Sequence, residues 1–249
     1  MSGRGSGRGS GSGSGHGSGR DADVVLATSG NAESRAESRA EGGMESSAGN
    51  IEGGFGKTVF VLATANSGKI REMRSILGAA GIDAIARSEV GIESDIEETG
   101  GTFRDNALIK ARYVCKLSGM PAIADDSGLV VEALGGAPGV DTSSYGGIAL
   151  TNDERCRFLI KNMENVEHRA AKFVCTVVCV FPNGDELIAE GECSGEIARS
   201  LSGENGFGFD PVFFIPQIGK TLAEISQEEK NGLSHRGAAL RALVRLMAE

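Results

Sequence analysis

The sequence predicts an α/β protein, because strand and helix patterns alternate along most of its length. The apolar, β-branched run 58–64 leads directly into 67–77, where apolar residues recur at helical spacing. Further along, a helical segment that begins near Thr102 and ends at about Leu117 precedes a second apolar run, 121–124. With 249 residues, 40% of them hydrophobic, the chain can bury one sizeable core or two small lobes.

Composition narrows the functional class. The sequence has no run of about 18 apolar residues and no apolar signal segment at its N-terminus, so we expect a cytoplasmic protein that does not bind membranes. The net charge of −9 argues against a nucleic-acid-binding surface, since basic patches bind polyphosphate backbones. A small anionic ligand could still be bound by a few cations and a divalent metal. Five cysteines without zinc-finger spacing predict reduced, buried thiols.

Residues 1–55 differ from the rest of the chain. Glycine occupies every odd position from 3 to 19, and serine or arginine fills most of the positions between. No apolar surface is present to offset the entropy of ordering such a segment, so we expect a flexible tail. The folded domain is predicted to span residues 56–249.

The turn between the first strand and the first helix has the features of an anion site. It comprises Thr64, Ala65, Asn66, Ser67, Gly68 and Lys69. Free backbone N–H groups at a helix start attract anions, and Lys69 in the first turn is unfavourable unless a negative group lies there. An exposed lysine without function is the alternative.

Two acids precede the next helix, which Thr102 and Asp105 begin with a capping-box pattern. Glu97 and Glu98 could favour the helix dipole or bind a metal ion. The dipole explanation fits poorly, because Glu97 lies several residues before the first turn and the effect fades quickly.

The run Ala122-Ile-Ala-Asp-Asp-Ser-Gly-Leu129 predicts a strand that ends at a metal site. Gly128 would let the backbone bend so that the acids face a cleft. Neighbouring strand residues point to opposite sides, so Asp125 and Asp126 should have different roles. An aspartate-rich turn without function is the alternative.

The remaining elements follow in order. Another strand is predicted for 129–133, and a capping box at Thr151 begins a helix that ends near Met163. The strands 172–181 and 186–192 form a predicted hairpin, whose length suggests a two-stranded arm or an antiparallel edge. A short strand at 212–215, a short helix around 228–231 and a last helix capped by Ser234 complete the chain.

Six motifs resemble the inosine triphosphate pyrophosphatase family, which removes non-canonical purine nucleotides. In chain order they are Thr64-x-Asn-x-x-Lys69, Glu97-Glu-Thr-Gly-x-Thr-Phe103, Asp125-Asp-Ser-Gly-Leu129, Gly135-Gly-x-Pro-Gly139, Phe207-Gly-Phe-Asp-Pro211 and Glu229-Lys-Asn-x-x-Ser-His-Arg236. The resemblance covers residues 58–247. It implies a long twisted mixed sheet flanked by helices, two lobes with a central cleft, and a homodimer.

The resemblance also implies a reaction: a purine nucleoside triphosphate and water give the monophosphate and pyrophosphate. Asp126 matches the general base, and one Mg²⁺ per subunit is expected on Glu97 and Asp126. The implied substrate contacts are the turn 64–69, Ser127, Phe207, Gly208, Phe209, Asp210, Lys230, His235 and Arg236. Phe207 would stack on the purine and Asp210 would bond its edge, although a phenylalanine in an unassigned sequence is more often a core residue.

Two departures from the family pattern stand out. Ser144 precedes Tyr145 where the family commonly has arginine, so one expected cation is missing, and Phe209 replaces a tyrosine. Two other functions stay open at this point. A Maf-like pyrophosphatase would act on pyrimidine or modified nucleotides, and a catalytically inactive sensor would bind a nucleotide without turnover.

Overall fold

The computed structural model describes residues 58–249, so the predicted tail, residues 1–55, lies outside the described part of the chain. The strands are β1 Val59–Leu62, β2 Asp83–Ala86, β3 Ala122–Val131, β4 Ala170–Val180, β5 Glu186–Ile197, β6 Phe213–Ile215 and β7 Lys220–Thr221. They form one sheet in the order β2-β1-β3-β4-β5-β6-β7. β1 runs parallel to β2 and β3, and the other neighbours are antiparallel. The predicted mixed sheet is therefore confirmed.

Helices flank this sheet. They are α1 Ser67–Ala79, α2 Phe103–Ser118, α3 Asn152–Asn162, α4 Gln227–Leu233 and α5 His235–Met247. Each begins after a residue whose side chain accepts a hydrogen bond from a first-turn N–H, which satisfies one of the donors left free at a helix start. The caps predicted at Thr102, Thr151 and Ser234 are confirmed. No helix in residues 58–249 is long and apolar enough to cross a membrane.

Strand alternation distributes the core over both faces of the sheet. Phe60 and Leu62 of β1 pack with α1 and α5 on one face, while Val61 packs with α2 on the other. The far end of the sheet has its own cluster, in which Leu129 and Phe213 pack with α3. The long strands β3, β4 and β5 pass through both regions of the sheet. The cleft described below lies between these two regions.

The prediction that a strand ends at the two aspartates is wrong. β3 runs without a break from Ala122 to Val131, and it pairs with β4 at every residue, including Asp125 opposite Val177 and Gly128 opposite Val174. The separate strand predicted for 129–133 is also wrong: residues 129–131 are the end of β3, and residues 132–133 lie in a short 3-10 helix. Gly128 is needed for close approach rather than for a bend. A Cβ there would lie 2.3 Å from the carbonyl oxygen of Gly139.

The hairpin was also assigned to the wrong part of the sheet. β4 and β5 pair along their whole length, but β4 also pairs with all of β3, so the hairpin lies inside the sheet. The sequence does indicate an internal strand, because residues 174–180 are almost continuously apolar and do not alternate with polar residues. Such a run is typical of a strand that is covered on both faces.

Candidate active site

A cavity of about 520 Å³ opens between the two regions of the sheet, beside the N-termini of α1 and α5. Thirteen of the predicted site residues line it: Thr64, Ala65, Asn66, Lys69, Asp126, Ser127, Phe207, Gly208, Phe209, Asp210, Lys230, His235 and Arg236. These thirteen residues come from four of the six motifs, which are far apart in the sequence, and Glu98 of a fifth motif also lines the cavity.

The turn before α1 is ordered by its own side chains. The Asn66 side chain accepts hydrogen bonds from the N–H groups of Gly68 (2.9 Å) and Lys69 (3.1 Å), and the Thr64 hydroxyl accepts one from Asn66 (3.2 Å). These contacts fix the turn at the cavity wall. The Lys69 amine lies 3.0 Å from the Asp125 carboxylate, which aims this cation at β3.

Behind the cavity wall, buried charges form a continuous network. Arg236 donates to Asp125 (3.0 Å), to the Ser127 hydroxyl (2.9 Å) and to Glu72, which in turn accepts from Lys230 (2.7 Å). Lys230 also donates to Asp210. Every member except Lys69 and Ser127 is almost fully buried, so the charges must compensate one another within the protein.

On the other face of β3, Asp126 belongs to a different cluster. The Lys110 amine bridges Asp126 Oδ1 (3.1 Å) and Glu98 Oε2 (2.9 Å), and the Asn106 amide donates to Asp126 Oδ2 (3.3 Å). The predicted separation of Asp125 from Asp126 is thus visible in their partners. Only Asp126 lines the cavity.

The two aspartates also differ in protonation. Burial raises the pKa of Asp126, Glu98 raises it further, and Lys110 and Lys69 oppose these effects without cancelling them. Burial acts on Asp125 in the same direction, but Lys69, Arg236 and Lys110 together hold the pKa of Asp125 well below its usual range. The surrounding cations therefore favour the ionised form of Asp125, whereas burial and Glu98 shift Asp126 towards its protonated form.

Three phenylalanine rings, Phe173, Phe207 and Phe209, also line the cavity. Phe207 has the Lys230 amine 4.5 Å from its ring centroid, and the Arg236 guanidinium carbon at 5.5 Å. His235 stacks on Phe173 with the ring centroids 4.6 Å apart. Burial, together with Arg236 and Lys230, lowers the pKa of His235 well below its usual value, so this imidazole is neutral.

Three predicted site residues do not line the cavity: Ser67, Gly68 and Glu97. Gly68 lies directly beside it, because a Cβ there would be 2.6 Å from the Phe207 ring. Glu97 is exposed, whereas its neighbour Glu98 lines the cavity and contacts Lys110.

Sequence reasoning missed Lys110, Glu72 and Arg155, which the structure places in or beside the site. The sequence pattern could have identified Lys110. It interrupts the apolar stripe of α2 four residues after Asn106, and a lysine on the buried face of a helix needs a charged partner. Glu72 gave none, since its partner Arg236 is 164 positions away.

Carboxylate and amide oxygens around Lys110 are the donors that Mg²⁺ prefers. Among residues 58–249, no group of three or more His, Cys, Asp or Glu side chains is arranged to hold a metal ion. Two carboxylates nevertheless suit Mg²⁺, which is commonly bound by one or two protein carboxylates together with waters and substrate phosphates.

Comparisons with known proteins agree with this geometry. Residues 60–246 match the model of the Ham1 family. Proteins named dITP/XTP pyrophosphatase from Pectobacterium atrosepticum and Shigella flexneri are each 46% identical over 188 residues, which cover 74% of this chain and 95% of each relative. The solved Ham1 protein of Coxiella burnetii is 43% identical with a TM-score of 0.70, and its match covers 77% of this chain and 98% of that structure. The Staphylococcus aureus Ham1 structure is 37% identical with a TM-score of 0.69 over the same shares. The chain belongs to the Ham1 family.

Proposed function

We propose that the chain hydrolyses the triphosphates of inosine, deoxyinosine and xanthosine to the monophosphate and pyrophosphate. The observation that carries this proposal is one cavity lined by a carboxylate of raised pKa, several cations and the half-buried Phe207 ring. Relatives named dITP/XTP pyrophosphatase align with the chain over 95% of their length. Hydrolysis of such triphosphates would cleanse the nucleotide pool of non-canonical purines.

Asp126 is the proposed general base. A base works best when its pKa approaches the operating pH, and burial with Glu98 moves the pKa of Asp126 in that direction. Lys110 and Asn106 hold one carboxylate oxygen each, so the carboxylate has a fixed orientation towards the cavity. In this role Asp126 takes a proton from the water that attacks the α-phosphorus.

Mg²⁺ is the expected cofactor, and the distances favour Glu98 and Asp126 as its ligands in place of Glu97. Both carboxylates contact the Lys110 amine, so their oxygens already share one cation. When bound, Mg²⁺ would neutralise charge on the phosphate oxygens.

Lys69 is assigned to the phosphates of the substrate, and the Phe207 ring is assigned to its purine base. Lys69 and the ordered turn before α1 suit a phosphate group, since a helix start presents positive N–H dipoles. Phe207 offers a surface for stacking a purine. The Nδ1 atom of His235 is buried and has no hydrogen-bond partner among the described residues, so a bound base could supply one.

Base selectivity tests the proposal. A pocket whose donors face a 6-keto oxygen rejects a 6-amino group, because buried donors would then go unpaired, and such mismatches are worth roughly 10⁴-fold. We therefore expect kcat/KM for inosine triphosphate to far exceed that for adenosine triphosphate. The measurement is pyrophosphate release from each nucleotide in the presence of Mg²⁺.

The same assay separates the other two functions. Pyrophosphate from a pyrimidine triphosphate at a higher rate would favour a Maf-like activity. Nucleotide binding by calorimetry without turnover of any triphosphate would favour a sensor. A homodimer is also part of the proposal, and light scattering of the purified full-length chain tests it directly.

A further inference from the structure

Arg155 is a buried arginine whose hydrogen bonds all go to the backbone of one neighbouring segment. It lies in the second turn of α3 and is 7% exposed. Its Nη1 atom donates to the carbonyl oxygens of Tyr145 (3.0 Å) and Gly147 (3.2 Å), and its Nη2 atom donates to that of Leu150 (2.9 Å). Arg155 also lines the cavity, although none of the six motifs contains it.

The segment 145–150 joins two parts of the cavity wall. Before it, Val140, Thr142 and Ser143 line the cavity, and after it Asn152 does so. The Tyr145 ring packs edge-on against Phe209, another lining residue, with the centroids 6.4 Å apart. By holding three carbonyls of the connecting segment, Arg155 therefore fixes the distance between the two parts of the wall.

The charge of Arg155 is not neutralised locally. Within residues 58–249 it forms no ion pair, and carbonyl oxygens satisfy its N–H groups without cancelling its positive charge. The segment 140–150 itself contains no lysine or arginine. The positive charge of this part of the wall comes from α3 instead of from the loop.

We propose that Arg155 is a positioning residue for the polyphosphate substrate: it fixes the wall formed by residues 140–152 and supplies a positive charge to the segment 140–150, which has no lysine or arginine of its own. The proposal rests on the proposed function for its substrate. It assigns Arg155 to substrate capture rather than to the chemical step, because no reacting group touches it.

Arg169 provides a matched control. It too is a buried arginine that donates to backbone carbonyls, among them Met163 (2.7 Å) and Ala198 (3.0 Å), but it does not line the cavity. If a buried arginine only holds a loop in place, Arg155→Gln and Arg169→Gln should both lower the melting temperature and leave KM unchanged. If the proposal holds, only Arg155→Gln should change KM.

The experiment measures steady-state pyrophosphate release from inosine triphosphate for the full-length wild type, Arg155→Gln, Arg155→Lys and Arg169→Gln. We expect Arg155→Gln to raise KM about tenfold, because the cavity wall loses a positive charge and the hydrogen bonds that fix it, with kcat within about threefold. The difference should shrink at high salt, which screens the charge. Arg155→Lys keeps the charge but cannot reach three carbonyls at once, so its KM should rise less. Arg169→Gln should keep the wild-type KM.

Hydrogen exchange of the segment 145–150 gives a readout that does not depend on turnover. Exchange should be faster in both Arg155 variants and unchanged in Arg169→Gln. Wild-type KM and wild-type exchange in Arg155→Gln would overturn the proposal; if that variant fails to fold, the same result in Arg155→Lys overturns it. An inactive wild type with faster exchange in the Arg155 variants would instead remove the proposed function and leave the positioning of the wall intact.

Discussion

Two adjacent aspartates on one strand have opposite electrostatic surroundings. Asp125 points to the side where Lys69 and Arg236 lie, and Asp126 points to the side where Lys110 and Glu98 lie. The alternation of a strand is enough to predict that their roles differ. The identity of each set of partners could not be predicted, because the cations come from α1, α2 and α5.

Replacing Asp126 by Asn removes the proton acceptor while keeping the size of the side chain. Loss of a general base alone lowers kcat about 10²- to 10⁴-fold, and weaker Mg²⁺ binding should add to this, so we expect a decrease of at least about 10³-fold. Nucleotide binding measured by calorimetry should persist through Lys69 and Lys230. The kinetic measurement is pyrophosphate release across a Mg²⁺ titration.

Neighbouring carboxylates provide the controls for that titration. Glu98→Gln should require more Mg²⁺ for half-maximal activity, and Glu97→Gln, at an exposed position outside the cavity, should not. If excess Mg²⁺ restores full turnover to Asp126→Asn, Asp126 is only a metal ligand. Near wild-type rates at every Mg²⁺ concentration would remove Asp126 from the mechanism.

Asp125→Asn should act mainly on stability. The side chain is fully buried, and loss of its charge leaves Lys69 without its carboxylate partner and Arg236 with Glu72 as its only one, which costs about 3–5 kcal/mol at neutral pH. Because the folded-state pKa of Asp125 is lowered, its stabilisation is present above the unfolded-state pKa of roughly 4 and is lost as the pH falls below that value.

Denaturant unfolding of the wild type and Asp125→Asn between neutral and acidic pH tests the pH dependence of this stabilisation. The difference in the free energy of unfolding should be constant at neutral pH and should shrink as the pH falls below roughly 4. Asp83→Asn, at an exposed position on β2, is the control and should change little. A difference that does not depend on pH would show that the ionised form of Asp125 does not stabilise the fold.

At the scale of elements, the sequence predicted helices better than strands. Helix starts carry a local signal, the capping side chain, and those at Thr102, Thr151 and Ser234 were located correctly. The extent of β3 depends instead on β4, which pairs with it across the charged residues. Two adjacent acids in an apolar run predict the end of a strand, because the sequence does not show that cations on other elements will neutralise them.

The contact between α1 and Phe207 gives a prediction at this scale. A Cβ on Gly68 would lie 2.6 Å from the Phe207 ring, so Gly68→Ala must displace the ring on which the purine is proposed to stack. Overpacking of this kind costs about 1–3 kcal/mol, and we expect kcat/KM for inosine triphosphate to fall about tenfold. Steady-state kinetics measure the effect.

Gly78→Ala is the control on the same helix. A Cβ there meets no atom within 4 Å, so alanine should stabilise the protein by about 0.5–1 kcal/mol and leave kcat/KM unchanged. An unchanged kcat/KM in Gly68→Ala would show that Phe207 can move without affecting substrate binding.

At the scale of the whole molecule, the six motifs predicted the family and most of the cavity lining. They could not predict the network that joins the motifs, since Glu72 pairs with residues that are more than 150 positions away. The same limit applies to Arg155, whose partners are carbonyl groups that every residue has. The types of the residues that provide these carbonyl groups therefore do not reveal the contact.

Removal of residues 1–55 is a prediction about the whole chain. Their composition is dominated by glycine and serine and offers little apolar surface to pack on the domain, so both the melting temperature and kcat/KM should stay nearly unchanged. Calorimetry and pyrophosphate release of the shortened and full-length chains provide the comparison. A large decrease in either would show that the tail contacts the domain.

The pairing of Asp125 with Arg236 has a consequence for the order in which the site forms during synthesis. The two residues are 111 positions apart, and α5 is the last helix of the chain. A growing chain that has completed β3, but not α5, would carry a buried carboxylate without its guanidinium partner. Chains that stop before α5 lack Arg236 and should therefore be inactive, so that nucleotide hydrolysis begins only after the start of α5 has been synthesised.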